Sequence, residues 1–177
     1  MTIKVHHTLL MTGAAGGLGT AMRERLKANC EVLRLSDRAD FGPARAGEEI
    51  ALADLANAAA VDAMVQGCQA IVHFGGISVE AAFEPIMQAN ILGVYNLYEA
   101  ARKFGVKRVV FASSNHVTGF YKQSETITLN HPARPDSLYG VSDLSGNVWE
   151  WCADRYGEDE YKGRKKIIRN PYGPEAG

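Results

Sequence analysis

The chain has 177 residues, of which 46% are apolar and 22% charged, and its net charge is −1. This length and composition are typical of one globular domain with a hydrophobic core. The near-neutral charge excludes a basic surface for nucleic acid or anionic lipid, and no run approaches the ~20 apolar residues of a membrane span.

Short apolar runs alternate with longer amphipathic stretches up to Ala112, and this periodicity predicts strands alternating with helices. Gly105 is placed to end the longest helix, and the glycines and proline of Arg38–Glu49 predict a loop. The expected strands are Thr8–Thr12, Glu31–Leu35, Ile50–Ala53, Ala70–Phe74 and Lys107–Ala112, and the expected helices are Leu18–Ala28, Asn57–Gln66 and Phe83–Phe104.

Two of these helices carry further local signals. Leu18, Met22 and Leu26 recur every four residues, which predicts an apolar face on the first helix. Asn57 or Asp54 is available to cap the second helix, and the sequence leaves both open.

Strands that alternate with helices predict an α/β fold, a Rossmann-type doubly wound parallel sheet with strand order 3-2-1-4-5. Ligands bind such sheets beyond the carboxyl ends of the strands. Gly13, Asp37, Asp54, Gly75 and Ser114 each follow an expected strand. We therefore expect these five residues to lie along one edge of the sheet.

The most informative motif is the glycine-rich turn from Gly13 to Gly19, which follows the first strand and opens the first helix. Glycines let the backbone approach a diphosphate closely, and the helix N-terminus offers free N–H groups and a positive dipole end. Asp37 lies eighteen residues after Gly19, as the dinucleotide fingerprint requires. The turn therefore predicts an NAD site, and a merely structural turn is the alternative.

Two carboxylates are candidates for the adenosine side of this site. Asp37 would accept hydrogen bonds from the ribose and repel a 2′-phosphate, which favours NAD over NADP. Arg38 beside it would attract that phosphate, and Asp54 can meet the adenine edge or cap the following helix. A plain loop carboxylate is the alternative for Asp37.

Ser113, Ser114 and Tyr139 are the candidates for chemistry. A tyrosine hydroxyl can exchange a proton with an alcohol or carbonyl while NAD carries the hydride, and a serine at a strand end can orient the reacting oxygen. Each of these residues is weak evidence for catalysis alone, because paired serines often cap helices and a lone tyrosine usually has only a packing role.

Several separate stretches resemble the extended short-chain dehydrogenase/reductase family of NAD-dependent epimerases and dehydratases, and within it the uronate dehydrogenase group. They are TGAAGGLG, Asp54-Leu55, IVHFGGISVE, NILGVYNLYEAAR, VVFASSNH and LYGVS, and together they span residues 8–142. The resemblance implies an oxidoreductase that oxidises a sugar acid at C1 with NAD.

The resemblance also implies roles for individual residues. Tyr139 becomes the catalytic base and Ser114 its catalytic partner, while Ser78, Asn115 and His116 become contacts to the sugar acid. An exposed loop histidine is the alternative for His116. The implied cofactor-binding residues are Gly13, Gly16, Gly17, Leu18, Gly19, Asp37, Asp54, Leu55, Gly75, Gly76, Asn90 and Ser113.

The chain departs from the family pattern at one position. The family carries Tyr-x-x-x-Lys, whereas this chain has Tyr139 followed by Asp143. A lysine ammonium would hold the nicotinamide ribose and stabilise the tyrosine phenolate, and an aspartate carboxylate would repel that phenolate. We therefore expect impaired turnover, and a non-catalytic NAD-binding module is the alternative function.

The residues after position 142 allow two interpretations. Leu144–Tyr156 and Asn170–Gly177 resemble a segment of formylglycine-generating, sulfatase-modifying enzymes, which gives a third hypothesis, a calcium-dependent fragment. Asn147 and Glu150 would supply too few oxygens for Ca²⁺, so no metal site is predicted. Alternatively, Val148–Tyr156 forms a helix with its tryptophans in the core, and Lys165–Ile168 forms a sixth strand.

The expected organisation is an NAD-binding Rossmann domain over residues 1–142 and an atypical tail over residues 143–177. The family continues past strand six into a substrate-binding region, so the sequence reads as a truncated or chimeric member. The three cysteines have no pairing or zinc spacing and no secretory signal is recognised, which indicates a reducing, cytoplasmic setting. The expected partner is a small sugar acid. A homo-oligomer through the long helix is left open, although most of the apolar residues of that helix are expected to face the sheet.

Overall fold

The computed structural model describes residues 6–128 and 130–147, with side chains up to residue 142. Its sheet has five parallel strands in the order β3-β2-β1-β4-β5. The strands are β1 His6–Thr12, β2 Cys30–Ser36, β3 Glu48–Ile50, β4 Ala70–His73 and β5 Arg108–Phe111. The predicted fold class and strand order are confirmed.

Helices cover both faces of the sheet. The helices are α1 Gly17–Lys27, α2 Ala58–Val65, α3 Phe83–Ile86, α4 Gly93–Lys103 and α5 Leu138–Asn147, with a π-helical segment at Met87–Leu92 and a 3₁₀ turn at Asn115–Thr118. Leu10 and Ile71 pack under α2 and α4 in one cluster, and Met11 and Leu33 pack under α1 in another. The central strands are therefore buried on both faces, as expected of a doubly wound parallel sheet.

Local capping explains two of the helix ends. The Asn57 side chain accepts a hydrogen bond from the Ala60 amide at 3.1 Å, so Asn57 caps α2 and Asp54 does not. Gly105 follows α4 with a φ of +68°, and the Val106 amide donates to the Ala101 carbonyl at 2.9 Å. This is the Schellman arrangement, which satisfies a carbonyl that the helix end would leave without a partner.

The long helix expected at Phe83–Phe104 is interrupted in the structure. Its middle turn, Met87–Leu92, has the wider π-helical winding, with α3 before it and α4 after it. Such turns are rare and concentrate at functional sites. The buried Asn90 lies inside this turn, which connects the helix to the site described below.

The third strand lies earlier than predicted. The prediction of Ile50–Ala53 followed apolar residues, whereas β3 is Glu48–Ile50 and pairs Leu33 with Glu48. The reason is that Glu48 is buried by an ion pair with Arg23 at 2.6 Å rather than by apolar contacts. Arg23 also donates to the Pro43 carbonyl at 3.1 Å, so this pair holds the β2–β3 loop against α1.

The first turn of α1 differs from its predicted packing. Met22 and Leu26 pack on the core, but the Leu18 side chain is 61% exposed. Leu18 lies on the rim of a groove instead of in the core, so its prediction as part of the apolar face was wrong.

Some predictions fall beyond what the structure describes. The expected helix at Val148–Tyr156, the expected strand at Lys165–Ile168 and Glu150 lie outside the described residues.

Within the described ranges, no helix is long and apolar enough to cross a membrane. On the long helix, Ile86 and Leu97 face the core.

Candidate functional site

A groove of about 450 Å³ runs along the carboxyl edge of the sheet. Turns that follow β1, β2 and β4 form its walls, and the region after β3 completes it. Of the predicted cofactor-binding residues, the lining contains Gly13, Gly16, Gly17, Leu18, Gly19, Asp37, Asp54, Leu55, Gly75 and Gly76. The structure thus brings together residues from four separate segments of the chain.

The glycine-rich turn has little room for side chains at two of its glycines. Gly13 has a φ of +71°, and a Cβ there would lie 2.5 Å from the carbonyl carbon of Phe74. A Cβ on Gly19 would overlap the carbonyl oxygen of Gly13. By contrast, a Cβ on Gly17 would meet no described atom within 4 Å. Close backbone packing therefore requires glycine at positions 13 and 19, whereas Gly17 leaves open space at the groove.

The N-terminus of α1 opens into the same groove. Its N-cap residue is Gly16, which offers no side-chain acceptor, and the first turn contains no acidic residue. The first backbone N–H groups of a helix need an external acceptor, and the helix dipole makes that end attractive to anions. An 11-residue helix with this start is suited to hold a diphosphate.

Asp37 lies at the end of β2 and faces the glycine-rich turn. Its Oδ2 accepts a hydrogen bond from the Ala15 amide at 2.9 Å, and its Oδ1 accepts one from the Ala39 amide at 3.0 Å. Because each carboxylate oxygen has a second lone pair, both can still accept hydrogen bonds from ribose hydroxyls. Arg38 lines the groove beside it and makes a weak 3.9 Å ion pair with Asp54.

The opposite wall is built by the turn after β4. Gly75 approaches Leu55 closely, since a Cβ on Gly75 would lie 3.0 Å from the Leu55 Cδ1. Gly76 has a φ of +136°, and a Cβ there would lie 2.9 Å from Asn90 Oδ1. The positive φ and the close Asn90 carboxamide explain the glycine at position 76, whereas a Cβ at position 75 would crowd only side-chain atoms among those described.

Sequence reasoning did not single out Thr12 and His73, which lie under this wall. The Thr12 Oγ1 is 2.6 Å from His73 Nδ1 and accepts a hydrogen bond from the Gly75 amide at 3.3 Å. Burial lowers the pKa of His73 to about 4. A histidine inside an otherwise apolar buried strand was the available signal, because buried polar groups need hydrogen bonds.

Asn90 lies behind the groove and joins two parts of the site. Its Oδ1 accepts from the Ile77 amide at 2.8 Å, and its Nδ2 donates to the Ile77 carbonyl at 2.9 Å. The same Nδ2 donates to the Ser142 Oγ of α5 at 3.2 Å. Asn90 therefore connects the groove wall to the helix that carries Tyr139.

A second cluster holds the residues predicted for chemistry. Ser114 caps the 3₁₀ turn by accepting a hydrogen bond from the His116 amide at 3.2 Å. The rings of His116 and Tyr139 meet edge to face at 5.4 Å. Gly140 permits this approach, because a Cβ there would lie 2.5 Å from the His116 carbonyl oxygen. The turn after β5 and the start of α5 are thus packed together.

His116 is oriented by a carboxylate. Its Nδ1 donates to Asp136 Oδ1 at 2.9 Å, and this bond holds the pKa of the Asp136 carboxyl below its usual range. A ring that donates through Nδ1 presents Nε2 on its other side.

The remaining predicted residues lie at the surface of these two clusters. Ser78 lines the groove, while Ser113 and Asn115 are exposed at the end of β5. The backbone of Asp143 lies in α5, one helical turn after Tyr139. Among the residues that the structure describes, no group of three His, Cys, Asp or Glu side chains is placed to bind a metal ion.

These features define a dinucleotide-binding fold of the extended dehydrogenase type. A model of the NAD dependent epimerase/dehydratase family matches residues 9–177, and the chain belongs to that family. The match includes the residues after position 142.

The chain is similar to uronate dehydrogenases. It is 55% identical over 159 residues to that of Pseudomonas putida, covering 89% of this chain and 59% of the relative, and 56% identical over 152 residues to that of Agrobacterium fabrum, covering 85% and 57%. A crystal structure of the Agrobacterium tumefaciens uronate dehydrogenase, a tyrosine-to-alanine mutant complexed with NAD, matches with a TM-score of 0.79 and 57% identity over 80% of this chain and 54% of that one. The chain thus spans little more than half the length of these relatives.

Proposed function

We propose that this chain binds NAD in the groove at the carboxyl edge of the sheet. The observation that carries the proposal is the N-terminus of helix α1, which has no side-chain cap. Its first residue, Gly17, leaves open space at the groove. In this arrangement the backbone amides at the start of α1 hold the diphosphate. Gly13 and Gly19 keep the turn close to the neighbouring backbone.

The adenosine half is assigned to the wall formed by Asp37 and Asp54. The Asp37 carboxylate is held in place by the amides of Ala15 and Ala39, and it accepts hydrogen bonds from the ribose hydroxyls. Leu55, Gly75 and Gly76 line the other wall. Asn90 is proposed to act by holding this wall, because its carboxamide is engaged with Ile77 and Ser142.

The proposed reaction is the oxidation of a sugar acid at C1, the chemistry of the uronate dehydrogenase type. NAD, when bound, supplies the hydride acceptor. Tyr139 takes the hydroxyl proton, Ser114 is assigned to orient the reacting oxygen, and Ser113 is assigned to the nicotinamide half of NAD. Ser78, Asn115 and His116 are assigned to the substrate, with His116 Nε2 presented as a hydrogen-bond acceptor for a sugar hydroxyl.

Asp143 is proposed to weaken this chemistry. Helical positions four apart share a face, so position 143 stands beside Tyr139 on α5. A carboxylate there disfavours the phenolate that the proton transfer needs. NAD binding and turnover are therefore separate properties of this chain, and a non-catalytic NAD-binding module is the second candidate.

The proposed organisation is a Rossmann domain that ends near residue 142, followed by the segment 143–177. The family match through residue 177 favours the interpretation in which Val148–Tyr156 forms a helix and Lys165–Ile168 forms the sixth strand. The calcium-dependent alternative predicts that calcium raises the thermal midpoint of the chain, and an unchanged midpoint removes it.

Substitution of Asp37 tests the cofactor assignment. Wild-type chain is expected to bind NADH saturably with a Kd in the micromolar range, and NADPH at least ~10-fold more weakly, because Asp37 repels a 2′-phosphate. In Asp37→Ser the preference for NADH over NADPH should become smaller or reverse, because Arg38 remains beside the site and attracts the 2′-phosphate. The measurement is titration with either dinucleotide, followed by nucleotide fluorescence.

Asp40→Ser is the matched control, because Asp40 is an exposed carboxylate on the same loop and, among the described residues, accepts a hydrogen bond only from the Gly42 amide. It should retain the wild-type preference. Absence of saturable NADH binding by the wild-type chain would refute the proposed function. If Asp37→Ser and Asp40→Ser show the same preference for NADH over NADPH, Asp37 does not contact the ribose.

A further inference from the structure

His73 is a buried titratable side chain that the proposed function leaves without a role. It ends β4 and is 1% exposed, and its register partner on β1 is Thr12. Its ring stacks on Phe111 with centroids 5.3 Å apart. Nδ1 meets Thr12 Oγ1 at 2.6 Å, whereas Nε2 finds no hydrogen-bond partner in the described part of the chain.

We propose that His73 is a positioning residue for the cofactor groove: its Nδ1–H donates to Thr12 Oγ1 and so leaves the Thr12 hydroxyl proton to serve as a donor at the groove floor. This inference rests on the proposed NAD site. Thr12 lines the groove and also accepts the Gly75 amide. With both acceptor positions of Oγ1 filled, its own proton is the group left to bond elsewhere.

The unpartnered Nε2 decides which ring nitrogen carries the proton. If Nε2 were protonated, a buried N–H donor would have no acceptor, and such orphaned donors are rarer than under-satisfied acceptors. A protonated Nδ1 leaves only a lone pair facing the core. Burial also keeps the ring neutral near pH 7, because the pKa of His73 is lowered to about 4.

The position of this histidine matters because the wall above it is tightly packed. A Cβ on Gly13 would lie 2.7 Å from the Gly75 amide nitrogen, so the glycine-rich turn and the end of β4 are in direct contact. The His73–Thr12–Gly75 chain of hydrogen bonds joins these two segments and fixes the direction of the Thr12 hydroxyl.

The test combines NMR with NADH binding. In the wild-type chain the nitrogen shifts of the His73 ring should show a protonated Nδ1 and an unprotonated Nε2. His73→Leu and the nearly isosteric Thr12→Val should each weaken NADH binding about tenfold, the effect of one lost buried hydrogen bond. His73→Asn, whose amide can replace Nδ1–H, should recover most of the affinity.

The double variant separates positioning from general destabilisation. Because both side chains act through one hydrogen bond, His73→Leu combined with Thr12→Val should lose no more affinity than either single variant. Additive losses, unchanged binding in both single variants, or a protonated Nε2 would overturn the inference. Wild-type chain that fails to bind NADH would refute the proposed function itself, whatever the ring nitrogens show.

Discussion

Gly19→Ala is expected to abolish measurable NADH binding and to lower the free energy of unfolding by about 3 kcal/mol, the upper range for overpacking a tight site. The new Cβ would overlap the Gly13 carbonyl oxygen and crowd the backbone of Ala14, and backbone atoms cannot rotate away as a side chain can. Both effects are measured on the purified chain, by urea unfolding and by NADH titration.

Gly17→Ala is the matched control for this prediction. Its Cβ meets no described atom within 4 Å, and alanine is favoured over glycine in helices by up to ~1 kcal/mol. The fold should therefore be as stable as wild type or more so. NADH affinity should nevertheless fall about tenfold, or ~1.4 kcal/mol, because the methyl group fills space assigned to the diphosphate. Unchanged affinity in Gly17→Ala would place the diphosphate elsewhere.

Asp143→Lys is expected to raise turnover of galacturonate with NAD by about 10²–10⁴-fold, the usual contribution of a positioned acid–base group. The lysine would stand one helical turn after Tyr139 on α5, where its ammonium favours the phenolate. Formation of NADH followed at its absorbance band measures the gain, while NADH affinity reports any separate effect on binding.

Two variants control this gain. Asp143→Asn removes the negative charge without adding a positive one, so it should recover a small part of the rate. Tyr139→Phe added to Asp143→Lys should return the rate to its starting level, because the phenol that takes the proton is gone. If Asp143→Lys brings no gain, Tyr139 is not the base or the substrate contacts are incomplete in this chain.

Much of the proposed cofactor groove could be predicted from sequence, because a glycine-rich turn between a strand and a helix is a short motif defined by residue spacing. Gly13 and Gly19 stand where no Cβ fits, so their spacing has few physical solutions. Asp37 was found by its distance along the chain from the turn. Its anchoring by the Ala15 amide could not be foreseen, because that contact depends on how β1 and β2 pair.

Other features were hidden because tertiary contacts override local pattern. Glu48 lies in a strand with its side chain buried against Arg23, which neutralises its charge. The π-helical turn around Asn90 looks like ordinary helix in sequence, and its effect is visible only where Asn90 meets Ser142. His73 carried a signal, a polar ring in a buried strand, but its partner Thr12 lies on another strand.

The separation of binding from chemistry is the main consequence for this chain. The residues proposed to hold a dinucleotide converge in one groove, while Ser114, His116 and Tyr139, which are proposed for the chemistry, lie on the turn after β5 and on α5. The departure from the family pattern at Asp143 falls on α5, one helical turn after Tyr139.

Amide mapping by NMR during titration with NAD tests the central claim most directly. We expect saturable shift changes from Gly13 to Gly19, at Asp37 and at Gly75, with the residues of α2 that face away from the groove unaffected. No saturable change, or changes confined to surfaces outside the groove, would contradict it.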